Sequence, residues 1–352
     1  MADQTTLYLH IGTHKTGTSA IQYVLRNNKE ILRRHGLAYV KLSRKKIRSL
    51  TEYNPLLVNS LRKSVLNQSN TYNQQGEFNF IISDEALSGN TDHYYRNIDV
   101  IAKSFREITE GFSVKIIVYL RRQDQFIQSA YTQKIHQGES YLFKEFLNSF
   151  PTDALNWKNL LDIYAEYFGK DNIIARVYDD QLLLDYRGVL YDFGTIINCE
   201  ELVVSKQVKF KNKGYSRDSV ELARLLNPKL NDQEVRFLRS ILQSIDTKQP
   251  FERYTYFTEK ERLAFLQQYA ESNSMVAKEY FKKTDGNLFS VKADHHIPQK
   301  YGGFNLDKCI NIFAKSIKYQ ANLQDKDQGK SNDSSKNKTF KLFTTIKNRL
   351  MA

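Results

Sequence analysis

Between Gly12 and Ser19 the chain reads Gly-Thr-His-Lys-Thr-Gly-Thr-Ser: two glycines five residues apart, a lysine and a histidine between them, and four hydroxyl side chains. The uncharged run Thr6 to Ile11 precedes it, and apolar residues at Ile21, Val24, Leu25, Ile31 and Leu32 follow. That pattern predicts a strand, a tight turn and an amphipathic helix. Such a turn aims backbone N–H groups and the positive end of the helix dipole at one point, which suits a phosphate. In the nucleotide triphosphatase loop, G-x-x-x-x-G-K-[ST], the lysine directly follows the second glycine. Here Thr18 holds that place and Lys15 lies inside the loop. Two further charged pairs directly follow apolar runs: Asp84-Glu85 after Phe78 to Ser83, and Arg121-Arg122 after Val114 to Leu120.

On these residues the chain resembles sulfotransferases that use 3′-phosphoadenosine 5′-phosphosulfate. Their 5′-phosphosulfate loop is G-x-x-K-x-G-T-[ST], matched at every fixed place by Gly12, Lys15, Gly17, Thr18 and Ser19. Their 3′-phosphate motif is a strand ending in Arg with a Ser eight residues on, in the next helix. Arg121 and Ser129 reproduce that layout, with Asp124 between them. The resemblance implies that Gly12, Thr13, His14, Lys15, Thr16, Gly17, Thr18 and Ser19 surround the 5′-phosphosulfate. It also implies that Arg121 and Ser129 hold the 3′-phosphate by charge-assisted hydrogen bonds. Lys15 would stabilise charge on the oxygen bridging sulfur and phosphorus, and no metal is implied.

The reaction also needs a base for the acceptor hydroxyl. Ile82 to Ser88 resembles the segment after the second strand of bacterial carbohydrate-type members, where a glutamate has that role, which points to Glu85. Asp84 is the alternative acid, and His14 and His93 are the local counterparts of the histidine used by cytosolic small-molecule members. Each motif also has a plainer reading. Asp84-Glu85 would serve as a helix N-cap pair, Arg121 as a strand end and Ser129 as a solvated helix residue. Lys211 and Lys213, in a basic loop, are candidate phosphate contacts or a solvated turn. A magnesium-dependent triphosphatase or kinase is the enzymatic rival, with Asp84 or Glu85 on the metal. A catalytically silent nucleotide- or glycan-binding protein is the other. That the acceptor is a carbohydrate, such as a cell-surface polysaccharide or glycolipid, follows from family analogy.

The elements that would position these groups alternate. Strands are predicted at 6–11, 78–83, 114–120 and 173–178, with helices over 95–110, from 123 to about 138, and over 154–168. The segment 41–75, with Pro55 inside it, reads as irregular with one or two short helices. Alternation of this kind predicts a P-loop-type three-layer α/β fold: a central parallel sheet flanked by helices, with ligands at the strands' carboxyl ends. Helical patterns follow at 181–197, 215–226, 232–245 and 259–281, read as a helical cap. Residues 1–290 form the expected α/β domain with its cap. Residues 291–352 form a basic, partly disordered extension in which periodicity is lost past about 300 and 324–338 reads as a linker.

The formal charge of +13 is uneven. From Ile297 onward eleven Lys and Arg face four Asp, so about half of the excess lies in the last sixth of the chain, unlike a uniformly basic nucleic-acid binder. The rest suits an anionic nucleotide and an acidic acceptor. Two cysteines, Cys199 and Cys309, exclude a disulfide framework and CxxC metal clusters. With no leader pattern and no run of 18 apolar residues, a cytoplasmic protein is expected. Near the end, Leu342, Phe343, Ile346 and Leu350 share a helical face amid Lys and Arg, a pattern that could meet the inner membrane surface, its own domain or a partner.

Overall fold

The chain enters its sheet at β1 (Thr6–Gly12), where Leu7, Leu9, His10 and Ile11 are all fully buried, as expected of a central strand covered on both faces. The computed structural model describes residues 5–90, 95–179, 186–204, 215–245, 254–289 and 301–327. Clustering of contacts divides the chain into two units. The first comprises residues 1–126, 150–209 and 259–293, and the second 127–149, 210–258 and 294–352.

In the first unit β1 leads to α1 (Thr18–Asn27), α2 (Lys29–Arg34), β2 (Leu37–Tyr39), α3 (Arg44–Arg48), α4 (Pro55–Asn73) and β3 (Asn79–Ser83). A 3₁₀ turn (Glu85–Ser88), α5 (Ile98–Ile108) and β4 (Ser113–Arg121) follow. The helix α6 (Gln123–His136) begins in the first unit and continues in the second, which also holds α7 (Phe143–Ser149). The chain then adds α8 (Trp157–Phe168), β5 (Ile173–Tyr178) and α9 (Tyr186–Ile196) to the first unit.

The strands form a five-stranded, all-parallel sheet in the order β2-β3-β1-β4-β5. The predicted α/β fold with a central parallel sheet is what the chain adopts. From β1 the chain builds first to one side and then to the other, so the topological switch lies between β1 and β4. Ligands of open α/β sheets bind outside the carboxyl ends of the strands at such a point. One face of the sheet is closed by Ile21, Val24 and Leu25 of α1, which pack with Ile117, Tyr119, Val189 and Phe193. Burying each such side chain contributes about 1.5–3 kcal/mol, which holds the start of α1 against the sheet.

Three sequence expectations need correcting. The short strand β2 was hidden in a stretch with only Leu37, Ala38 and Tyr39 as its signal. The segment 41–75 is not irregular, because α4 runs for 19 residues within it. Pro55 occupies the first turn, where its missing N–H costs nothing, and the Asn54 side chain caps the helix by accepting from Leu57 N–H. Its buried stripe, Val58, Leu61, Val65 and Ser69, is narrow and one member is polar, which masked the period.

The second unit contains α10 (Arg217–Leu226) and α11 (Asp232–Ile245). The helical stretch 259–281, back in the first unit, is two helices, α12 (Glu259–Gln267) and α13 (Ala270–Phe281). The third correction concerns 306–327. The expected loss of structure past about 300 gives way to α14 (Leu306–Asp327) in the second unit, which includes the start of the expected linker. Within that unit Arg217 lies 4.8 Å and 4.1 Å from the ring centres of Tyr256 and Tyr301, and Tyr301 donates to Asp218 at 2.6 Å. Lys211, Lys213 and the tail pattern at 342–350 lie outside the described residues.

Candidate functional site

β1 ends in Gly12 (φ 92°), and the turn reaches α1 through Lys15 (φ 64°) and Gly17 (φ 82°), both left-handed. Gly17 is the N-cap of α1; no side chain caps the helix and no acid stands in its first turn. An uncapped positive helix end with neighbouring hydroxyls fits an anion. The loop is tied to the neighbouring strand: Thr13 N–H and Thr13 Oγ1 both donate to Tyr119 O, at 3.2 and 3.0 Å. Thr16 is fully buried and its hydroxyl donates to Thr13 O at 2.6 Å. Thr13 and Thr16 therefore spend their hydroxyls on shaping the loop, and what Thr16 offers a ligand is its backbone. Thr18 is buried, while Lys15 and Ser19 are exposed.

β4 delivers Arg121 to the same edge. Arg121 Nη1 donates to Lys15 O at 3.0 Å, its guanidinium lies 5.8 Å from the Tyr178 ring centre, and its carbonyl accepts from Trp157 Nε1 at 2.9 Å. Adjacent Arg122 forks the buried Asp124 carboxylate, Nε to Oδ1 at 2.7 Å and Nη2 to Oδ2 at 3.0 Å. That pairing neutralises the one acid of the Arg121–Ser129 stretch. Ser129 lies on α6 within the second unit and is half-buried.

The acids after β3 stand close to the loop. A Cβ built on Gly12 would meet Glu85 Cα and Cβ at 3.2 Å, so only glycine lets the loop pass this near. Asp84 is the N-cap of the 3₁₀ turn: its Oδ1 accepts from Ala86 N–H at 2.9 Å. Its Oδ2 accepts from Arg44 Nε at 3.1 Å. The capping reading thus holds for Asp84, each of whose oxygens accepts one hydrogen bond. Burial, and then the Glu85 charge, push the Asp84 carboxyl up, while Arg44 pulls it back. Arg44 also grips Glu85, Nη1 to Oε1 at 3.0 Å and Nη2 to Oε2 at 3.1 Å. Gln22, buried on α1, donates to Glu85 Oε2 and to Ser83 O, each at 3.1 Å, and accepts from Arg44 Nη2 at 3.1 Å and Arg26 Nη2 at 2.9 Å. The helix that starts at the loop therefore also orients the acid.

Of the histidines, His14 stacks edge-on against Tyr95, with ring centres 5.5 Å apart, and its Nδ1 is buried without a hydrogen-bond partner. Burial and then the Arg48 charge lower its pKa to about 3, so it is neutral and weakly basic. His93 lies outside the described residues. His10 is fully buried beneath the loop, bonded through Nδ1 to Ser83 Oγ at 2.8 Å and lowered to about 3 by burial.

The residues that sequence reading missed are Arg44 and Gln22. Gln22 carried a signal, a polar side chain between the buried Ile21 and Val24 on the inward stripe of α1. Arg44 carried none, being one basic residue among five in 41–48.

No family model matches this chain. An uncharacterized protein from Archaeoglobus fulgidus is 29% identical over 188 residues, 53% of this chain and 50% of that protein, so the chain spans about half that relative's length. Among solved structures, a sulfotransferase from Alicyclobacillus acidocaldarius aligns at a TM-score of 0.35 and 13% identity, covering 63% of this chain and 91% of that one. A likeness at that level says nothing about activity. No helix among the described residues is long and apolar enough to cross a membrane.

Proposed function

We propose that this chain is a sulfotransferase that moves a sulfuryl group from 3′-phosphoadenosine 5′-phosphosulfate to a hydroxyl of a carbohydrate. The observation that carries the reading is the hydrogen bond from Arg121 to the carbonyl of Lys15, which joins the two motifs at the switch point of the sheet. The uncapped start of α1 and the loop backbone fit the 5′-phosphosulfate, and Arg121 is assigned the 3′-phosphate. Glu85 takes the proton of the acceptor hydroxyl. The acceptor oxygen forms the new bond to sulfur as the bond from sulfur to the bridging oxygen breaks. The electron pair stays on the departing bisphosphate, where Lys15 compensates the developing charge, much as in phosphoryl transfer. Asp84 is committed to capping its own turn, and a histidine held near pKa 3 is a poor proton acceptor at neutral pH. The clamp of Arg44 over both acids also weighs against a magnesium-bound triphosphatase or kinase.

The test is thermal stabilisation by 3′,5′-adenosine bisphosphate against ATP with magnesium, on wild type and Arg121→Ala. A ligand at a hundred times its Kd stabilises by about 2.7 kcal/mol. Stabilisation by the bisphosphate, lost in Arg121→Ala, is expected. Stabilisation by magnesium ATP alone would overturn the reading in favour of the triphosphatase or kinase.

A further inference from the structure

Four of the five residues of α3 are basic. Ile47 and, just beyond the helix, Leu50 are fully buried and fasten the segment to the first unit, and the Ser43 side chain caps its start. Arg44 turns inward to Asp84 and Glu85. Lys41, Lys45, Lys46 and Arg48 are exposed, with Lys46 Nζ donating to Ser60 Oγ at 2.6 Å. Among the described residues none of these four forms an ion pair. No Asp or Glu occurs between Glu30 and Glu52, and the two acids that face the segment are already covered by Arg44. Arg48 also lies within electrostatic reach of His14 in the loop.

Like charges held this close repel one another, and surfaces ordinarily intersperse both signs. A neutral sugar would gain nothing from four uncompensated cations beside the base. We infer that α3 and its flanks are the acceptor subsite for an acidic polysaccharide, a glycan bearing uronate carboxylates or sulfate esters, whose neighbouring hydroxyl is thereby brought to Glu85. This rests on the sulfotransferase reading. A single-stranded nucleic acid is the weaker fit, since the two flanking rings are engaged: Tyr39 is half-buried, and the Tyr53 ring lies 4.9 Å from Lys103 Nζ with its hydroxyl on Glu107.

The test measures binding of fluorescent hyaluronan and heparin oligosaccharides, with dextran and a thymidine oligonucleotide as comparators. It uses the full chain with 3′,5′-adenosine bisphosphate at physiological salt. Two variants of equal charge change are compared: Lys41→Glu with Lys45→Glu and Lys46→Glu, and a control with Lys29→Glu, Arg33→Glu and Lys278→Glu, all exposed positions on α2 and α13. The first variant should lose at least about tenfold in affinity for the acidic glycans and the control less than about threefold, because local contacts and not net charge release the counterions. Both variants should keep the stabilisation by the bisphosphate. Equal losses in the two variants, dextran bound as tightly as the acidic glycans, or the oligonucleotide bound more tightly would overturn the inference. So would bisphosphate stabilisation without glycan binding, whereas absence of bisphosphate stabilisation in wild type would instead overturn the sulfotransferase reading beneath it.

Discussion

Arg44→Ala isolates the clamp on the two acids. The substitution removes three hydrogen bonds, each at 3.1 Å, to Asp84, Glu85 and Gln22, and a further ion-pair contact of 3.0 Å to Glu85 Oε1. The two carboxylates expose only 10% and 14% of their side-chain surface, so the variant is left with two adjacent, poorly solvated negative charges. Losing one partner of a buried ion pair costs about 3–5 kcal/mol, and an exposed pair contributes about 0–1. Arg44 is itself 39% exposed, which places the loss between these limits, at about 2 kcal/mol. In a domain of roughly 200 residues that lowers Tm by about 5 °C.

The dependence on pH separates charge from packing. Burial and the Glu85 charge push Asp84 upward, and Arg44 opposes them. Without Arg44 the native state keeps a proton that the unfolded chain has already released. Stability of the variant therefore falls, relative to wild type, as pH rises through the carboxylate range. The Tm difference should be small near pH 4 and reach its full size at pH 7.5, and Asp84→Asn with Glu85→Gln should restore most of the loss in the Arg44→Ala background. A difference that is the same at both pH values would refute the electrostatic account and leave Arg44 as a packing residue.

Two other perturbations follow from the same geometry. Gly12→Ala must drive a methyl group against the Glu85 backbone in a left-handed conformation, so we expect a loss of more than about 1 kcal/mol in urea unfolding and loss of bisphosphate stabilisation; normal bisphosphate binding would show that the loop does not need this close approach. His10 and His14 are both neutral when folded, with pKa values lowered to about 3, so unfolding takes up protons below about pH 6.5 and wild-type stability falls as pH drops from 6.5 toward 3. His14→Asn should reduce that slope by up to about 1.4 kcal/mol per pH unit in urea titrations, and an unchanged slope would mean that His14 is not held neutral.

How much of this was legible in the sequence depended on where each element finds its partners. β1, β3, β4 and β5 announce themselves because a parallel sheet covered on both faces demands continuous apolar runs. The loop and Arg121 could be read because backbone geometry fixes their spacing within single strand–turn–helix units. β2 has only three residues at the sheet edge, too short a run to leave a pattern although Leu37 and Ala38 are buried. α4 and α14 bury narrow stripes that include polar members, Ser69 and Ser316, so their period fades among hydrophilic neighbours.

The clamp was invisible for a different reason. Arg44 is 40 residues from Asp84 along the chain, and Gln22 is 63 from Glu85. Their meeting depends on β3 pairing beside β1, which places the end of β3 next to the loop and against the flank of α1. Once that pairing is given, the two acids separate by what each of their oxygens is bonded to. Asp84 gives one oxygen to the backbone of its own turn and the other to Arg44. Glu85 takes its hydrogen bonds from side chains, Gln22 and Arg44, both on Oε2, and its Oε1 meets Arg44 Nη1 as an ion pair at 3.0 Å. Oε1 therefore has room for the hydroxyl of an acceptor without breaking the clamp, whereas a proton on Asp84 would compete with the cap of its own turn. A structural cap and a chemically available acid thus stand side by side, distinguished by the partners that already hold their oxygens.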